Sequence, residues 1–304
     1  MSLYSQYKSS LKAIEVEEIF DLIVYRPLAF LFVKATYSIN ITPDMVSVAA
    51  LTIGSTAGIM FGFGSYTFLV IGAILYFTSN VLDCADGQIA RLKKNGTKVG
   101  RIVDGFVDYI VSIFVFVGIG IGLTKQFHWH EVNLWGNSFL QWDPVVYIWV
   151  ASILGAISSA VQAFYFDFYR NKFLEVVYGR AQNIIEEIKE YEDESERLKD
   201  NGSHGFQRFL ISIYLKYSAL QLKIQKDHEE NHNEQKPNPK VYYAKNRLLL
   251  RLWSYVGSTT HITLCVVTAL LGNMEAFLII CILPLNLLML VLFLVQKQVN
   301  KVTV

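Results

Sequence analysis

Charge is scarce in this chain and nearly balanced. Asp, Glu, Lys and Arg make up 17% of its 304 residues, and 27 basic against 26 acidic side chains leave a net charge of +1. A surface built to hold nucleic acid carries an excess of basic charge, so no nucleic-acid partner is expected. Cysteine is rarer still. Cys84, Cys265 and Cys281 are odd in number, sit in or beside apolar runs and show no disulfide spacing. Reduced, structural thiols are expected. Residues 1–18 are polar and charged, which is not the make-up of a cleavable signal peptide.

Apolar residues, by contrast, are 53% of the chain and the mean hydropathy is positive. That composition belongs to polytopic membrane proteins. Runs of roughly twenty apolar residues predict six spans, near 43–63, 66–90, 101–123, 144–166, 253–271 and 275–296. The expected fold is therefore an all-α integral membrane protein of six transmembrane helices. Thr42-Pro43 and Asp143-Pro144 are good helix starts, an N-cap followed by proline in the first turn. Lys93, Lys94, Lys98 and Arg101 crowd one loop, whereas the opposite side holds little beyond Lys125. The positive-inside rule then puts that loop, both termini and a long 167–250 insert in the cytoplasm.

Residues 19–36 are apolar but contain Asp21, Arg26, Pro27 and Lys34, which fits an interfacial amphipathic helix better than a seventh span. Four regions result: a 1–42 N-terminus, spans one to four over 43–166, the helical cytoplasmic insert 167–250, and spans five and six with a tail over 251–304. Within the insert, 184–200 is densely charged. Phe206, Phe209, Leu210, Ile213, Tyr214, Tyr217 and Leu220 form an apolar stripe that predicts a helix lying on the membrane or docking on the bundle. Residues 227–240 read as a polar linker.

Four aspartates are the strongest signal. Asp83, Asp86, Gly87, Ala90 and Arg91 share one helical stretch; Gly100, Asp104 and Asp108 share the next, across an Asn-Gly loop that folds the two stripes together. Carboxylates beside apolar spans are costly and mark function. Facing one another, they imply bound cations. Oxygen donors without His or Cys suit Mg²⁺, Mn²⁺ or Ca²⁺. Three or four carboxylates suit two such ions about 3.5–4 Å apart, the arrangement for in-line displacement at phosphorus. Gly87 and Gly100 give room for a substrate, and Arg91 and Arg101 could balance a diphosphate. The bland alternative is a charged hairpin whose acids pair with Arg91, Lys93, Lys94 and Arg101.

The pattern D-x2-D-G-x2-A-R-x8-G-x3-D-x3-D is met without departure over residues 83–108. It resembles the signature of the CDP-alcohol phosphotransferases, which displace CMP from a CDP-linked substrate. The resemblance implies that Asp83, Asp86 and Asp104 ligate two divalent ions, Mg²⁺ or Mn²⁺. It implies that Asp108 is both metal ligand and general base, that Gly87, Ala90, Arg91 and Gly100 line the CDP pocket, and that the protein is a homodimer. The family often opens its first span with Pro-Asn, where this chain has Pro43-Asp44. Two activities are open: transfer of a phosphatidyl group from CDP-diacylglycerol to inositol, inositol phosphate, serine or glycerol phosphate, or transfer from CDP-choline or CDP-ethanolamine to diacylglycerol. We favour the first from the compact chain. An ion-coupled transporter would place its acids near the bilayer centre and show repeats; neither is evident.

Secondary features have plain readings beside them. Gly54, Gly58 and Gly62 permit close helix contact, which we assign to packing within the bundle rather than to a dimer seam. Gly118, Gly120 and Gly122 are read the same way. His128 and His130 fit a wet interfacial loop better than a metal site. His261, among Ser258, Thr259, Thr260 and Thr263, would contribute to an acceptor pocket or to an interhelical hydrogen bond. Arg170 and Lys172 would hold an acceptor phosphate or serve as flanking anchors.

Overall fold

The computed structural model describes residues 3–11, 14–93, 98–126, 143–179, part of 188–219, and 238–303. Every regular element among them is helical. In chain order they are α1 (Leu3–Ser10), α2 (Arg26–Thr36), α3 (Pro43–Phe61), α4 (Tyr66–Lys93), α5 (Lys98–Gln126), α6 (Pro144–Tyr178), α7 (Pro239–Trp253), α8 (Ser258–Leu270), α9 (Met274–Ile282) and α10 (Pro284–Thr303). A π-helical turn, Asp21–Tyr25, leads into α2, and short 3-10 turns occupy Ile14–Val16 and Ser254–Val256.

Local chemistry explains the helix starts. The Thr42 hydroxyl accepts the Met45 N–H, Asp143 accepts Val145 N–H, Asn238 accepts Lys240 N–H and Asn273 accepts Ala276 N–H. Prolines at 43, 144 and 239 follow the first three caps. α6 stops at Gly179, whose φ of +60° a residue with a Cβ adopts only at a cost.

Five segments are long and apolar enough to cross a membrane: α3, α4, Val107–Gln126 of α5, α6, and Met274–Asn300 across α9 and α10. Their outward faces are greasy. Ile74, Ile113, Ile153, Leu154, Ile157, Leu287 and Leu294 are all exposed, an apolar surface that only lipid covers comfortably. The predicted 253–271 span is instead broken. α7 ends at Trp253, the chain turns, Gly257 is extended, and α8 has only 13 residues, about 20 Å of helix. Position 257 has no room for a side chain, because a Cβ there would lie 2.3 Å from the Glu18 carboxylate oxygen. The last predicted span is interrupted at Pro284, which has no N–H to continue the ladder.

α3 lies against both α4 and α5. Gly54 of α3 touches Ser79 of α4 and Val111 of α5, and Gly58 and Gly118 bring the α3 and α5 backbones together. The glycine stripes therefore serve packing inside the bundle. Around them Ala57, Phe61, Leu69, Ala73, Val115, Ile119, Cys265 and Phe277 form one core. A second joins α6, α7 and α10 through Phe166, Phe173, Tyr242, Trp253, Met289 and Leu292. A third seats Tyr25, Ala29 and Val33 on Cys84, Ala85 and Ile89 of α4.

Ends of helices are matched by hydrogen bonds. Lys125 donates to Gly62 O (2.8 Å), and Tyr66 donates to Leu270 O (3.1 Å), which gathers α3, α4, α5 and α8 at one end. Lys93 donates to Ile39 O and Ile41 O at the other, where the motif lies.

Candidate active site

Asp83, Asp86, Gly87, Ala90 and Arg91 occupy the last three turns of α4, and Gly100, Asp104 and Asp108 the first three of α5. Both stripes thus fall on helices at the same end of the bundle. Asp86 is buried and accepts a hydrogen bond from Ser47 Oγ of α3 at 2.6 Å. Asp83 is half-buried and Asp108 exposed. The Asp104 side chain and the 94–97 loop lie outside the described residues. Among the described side chains no three His, Cys, Asp or Glu are gathered around one point. α4 and α5 meet mainly through α3 rather than by direct contact along their lengths.

Cys84, Gln88 and Arg91 lie on a second face of α4, spaced four and three residues apart. All three are tied to the N-terminal segment. Cys84 Sγ–H points to Asp21 Oδ1 (3.6 Å), Gln88 Nε2 donates to Arg26 O (2.9 Å), and Arg91 Nε donates to Ser10 O. Gly87 lies beneath the Arg91 guanidinium, with a hypothetical Cβ only 3.4 Å from it. Arg91 Nη2 and Gln88 Oε1 are buried without a hydrogen-bond partner in the described structure.

The N-terminal segment is itself a buried polar knot, which local sequence patterns do not reveal. Arg26 pairs with Glu17 at 3.0 Å. Glu18 caps α8 from 240 residues away, accepting from Ser258 Oγ (3.2 Å), Thr259 N–H (3.1 Å) and Thr260 N–H (3.3 Å). Asp21 accepts from Thr259 Oγ1 at 3.1 Å, and Arg251 of α7 donates to the carbonyls of Glu17 and Ile14. Burial and the neighbouring Asp21 push the Glu18 carboxyl up to about 8, against the Thr259 N–H that favours its charged form. Burial likewise raises Asp21, with the Arg26 guanidinium opposing. The only sequence hint was the run of acids, Glu15, Glu17, Glu18 and Asp21, ahead of an apolar segment.

The polar patch on α8 is satisfied internally. His261 Nδ1 lies 2.7 Å from Gly257 O and Nε2 2.7 Å from Gln162 Oε1, and Gln162 donates onward to Cys281 O and Asn286 Oδ1. Thr263 Oγ1 lies 3.2 Å from Tyr25 OH. The interhelical reading of His261 holds. Arg170 pairs with Asp167 (2.9 Å) and sits over the Phe166 ring. His128 and His130 lie outside the described residues.

A polar, carboxylate-bearing end on a bundle of membrane-length helices defines a polytopic membrane protein with a site at one end of its helices. Residues 40–172, from the residues just before α3 into the end of α6, match the family model for CDP-alcohol phosphatidyltransferase. The family consists of transferases of phosphate-containing groups that use CDP-alcohols and are generally divalent-metal dependent. No curated protein matches the chain.

Proposed function

We propose that the protein transfers a phosphatidyl group from CDP-diacylglycerol to a small polar alcohol of the inositol, inositol phosphate, serine or glycerol phosphate type, releasing CMP. The observation that carries this reading is the unbroken motif, laid on two helices at the same end of the bundle inside the matched family region. By resemblance the compact chain favours this over transfer from CDP-choline or CDP-ethanolamine to diacylglycerol, although both share the CDP half of the site.

The donor set fits hard divalent cations. Asp83, Asp86, Asp104 and Asp108 offer carboxylate oxygens alone, Cys84 is turned to Asp21, and the Ser47 hydroxyl orients Asp86. Two Mg²⁺ or Mn²⁺ held there would supply charge neutralisation to the diphosphate. Arg91, anchored at Nε and with Nη2 buried and unpartnered, would by resemblance meet the anionic or cytidine part of the donor together with Gly87, Ala90 and Gly100.

Asp108, exposed on α5, would accept the proton of the acceptor hydroxyl. The acceptor oxygen then bonds to the phosphorus distal to cytidine, and the bond from that phosphorus to the oxygen of CMP breaks. On the positive-inside rule the motif loop with Lys93, Lys94, Lys98 and Arg101 would face the cytoplasm, and by resemblance the chain would be a homodimer.

The test is CMP release by purified protein with Mg²⁺ or Mn²⁺. CDP-diacylglycerol is offered to each polar alcohol, and CDP-choline and CDP-ethanolamine are offered to diacylglycerol. Release that needs CDP-diacylglycerol and one polar acceptor is expected. Release only with diacylglycerol as acceptor reverses the direction of transfer, and failure to bind CDP at all removes the phosphotransferase reading.

A further inference from the structure

The insert between α6 and α7 contains a feature that catalysis does not use. Its described residues form two helical stretches, within 188–197 and 205–219, packed through Tyr191 and Tyr214 with ring centroids 4.7 Å apart. Tyr191 and Ile211 are buried between them. Beside this contact opens a cleft of about 460 Å³ lined by Ser195, Arg208, Ser212, Leu215, Lys216 and Ala219.

Helical spacing sorts the second stretch into three adjacent stripes. Ile211 and Tyr214 face the first stretch. Arg208, Ser212 and Lys216, four apart, face the cleft. Phe209 and Ile213, also four apart, form the next stripe and are 57% and 41% exposed. The acids of the first stretch, Glu192, Asp193 and Glu196, are exposed, and its one contribution to the cleft is the neutral Ser195. Two cations, two hydroxyls and a bordering apolar stripe match an anionic phosphate headgroup with its acyl chains alongside.

The tether selects the source of that headgroup. Phe173 near the end of α6 packs on Tyr242 and Tyr243 of α7 (6.2 and 5.9 Å), so both roots of the insert lie together where membrane-length helices end. The hairpin is confined to the bilayer face from which it grows.

We propose that the 205–219 stretch docks on that bilayer, with Phe209 and Ile213 entering the interface and the Arg208–Lys216 cleft taking the phosphate of an anionic lipid. The three native cysteines are buried, so a spin label on Ile213→Cys reports depth in the full chain. The protein is reconstituted in phosphatidylcholine vesicles with or without phosphatidylserine, or with inorganic phosphate in the buffer. With phosphatidylserine the label should become accessible to oxygen and shielded from a water-soluble relaxation agent. Arg208→Gln with Lys216→Gln should lower the docked-to-undocked ratio about 30-fold, at about fivefold per basic group near an anionic surface. Both side chains are exposed, so the fold should survive their loss. Quenching of Phe209→Trp by brominated phosphatidylserine gives a second readout. Equal depth in both vesicle types, no effect of the double substitution, or a response to inorganic phosphate in place of lipid would each overturn the proposal.

Discussion

Gly118→Ala should unfasten α3 from α5. A Cβ at position 118 would stand 1.9 Å from Gly58 O, where ordinary contact begins near 3.4 Å, so the two backbones must part by about 1.5 Å. The obstacle cannot rotate away, because it is a backbone carbonyl that already accepts the Gly62 N–H at 3.2 Å. A gap of 0.5–1 Å already forfeits a quarter to a half of each dispersion contact. The seam holding Ala57, Val111 and Val115 would lose most of its attraction. Overpacking of this kind costs about 3 kcal/mol, and the helix propensity of alanine over glycine returns about 1 kcal/mol. A net loss of about 2 kcal/mol corresponds to a thermal midpoint lower by about 3 °C in a chain of this size.

Gly120→Ala is the matched control. Its Cβ would meet the Trp149 ring at 3.1 Å and Ser152 Oγ at 3.2 Å, side chains able to shift by tenths of an ångström. That variant should stay within about 1 kcal/mol of the parent. The assay is thermal unfolding of purified protein in nanodiscs, followed by CMP release at a temperature where both variants are folded. Equal midpoints for the two variants would refute the close crossing of α3 and α5.

Other consequences follow from named contacts. Asp86→Asn or Asp104→Asn should abolish CMP release while CDP-independent folding, read by thermal unfolding, is retained. Ser47→Ala removes the 2.6 Å hydrogen bond to Asp86 and should raise the Mg²⁺ concentration for half-maximal activity by about 10–100-fold, with Ser47→Thr recovering part of it. The Glu18 carboxyl titrates near 8 in the fold against an ordinary 4.5, so its contribution to stability is full below about 4.5 and is lost as pH rises through 8. Glu18→Gln keeps the acceptor oxygen without the charge, and should flatten the fall in stability between those pH values. Gln162→Leu leaves His261 Nε2 and Asn286 without their buried partner and should cost about 1–3 kcal/mol in denaturation.

Local patterns carried much of this fold. Thr42-Pro43 and Asp143-Pro144 begin helices because capping is decided within four residues. The glycine stripe at 54, 58 and 62 announced a close neighbour, although only the structure names it as α5. The motif's position on α4 and α5 followed from apolar runs on either side. What stayed hidden depends on partners far away in sequence. Hydropathy read 253–271 as one span; the helix itself runs Ser258–Leu270, capped by Glu18, 240 residues before Ser258, which leaves no room for a side chain at Gly257. The segment just before and inside 19–36 also ties helices together: Asp21 takes Cys84 of α4 and Thr259 of α8, Glu18 caps α8, and the carbonyls of Ile14 and Glu17 accept Arg251 of α7. For His261 the sequence left a ligand pocket and an interhelical hydrogen bond open, and both ring nitrogens face oxygens, of Gly257 at the start of α8 and of Gln162 on α6.

The same contacts bear on why acids and bases alternate so closely in the motif. A self-neutralising hairpin would direct Arg91 and Lys93 at the aspartates. Instead Arg91 Nε donates to Ser10 O, and Lys93 donates to Ile39 O and Ile41 O while lying 5.7 Å over the Tyr37 ring. These cations commit their hydrogen bonds to neutral carbonyls of the N-terminal segment and of the α2–α3 connection. A neutral acceptor stabilises the cation without cancelling its field. The motif helix is thereby pinned at its back by residues 10–41, and Asp86 is pinned at its front by Ser47. Such pinning fixes the geometry in which α4 presents its carboxylates. The N-terminal segment thus supports the motif helix, and the matched region 40–172 alone lacks the backbone to which Arg91 is anchored.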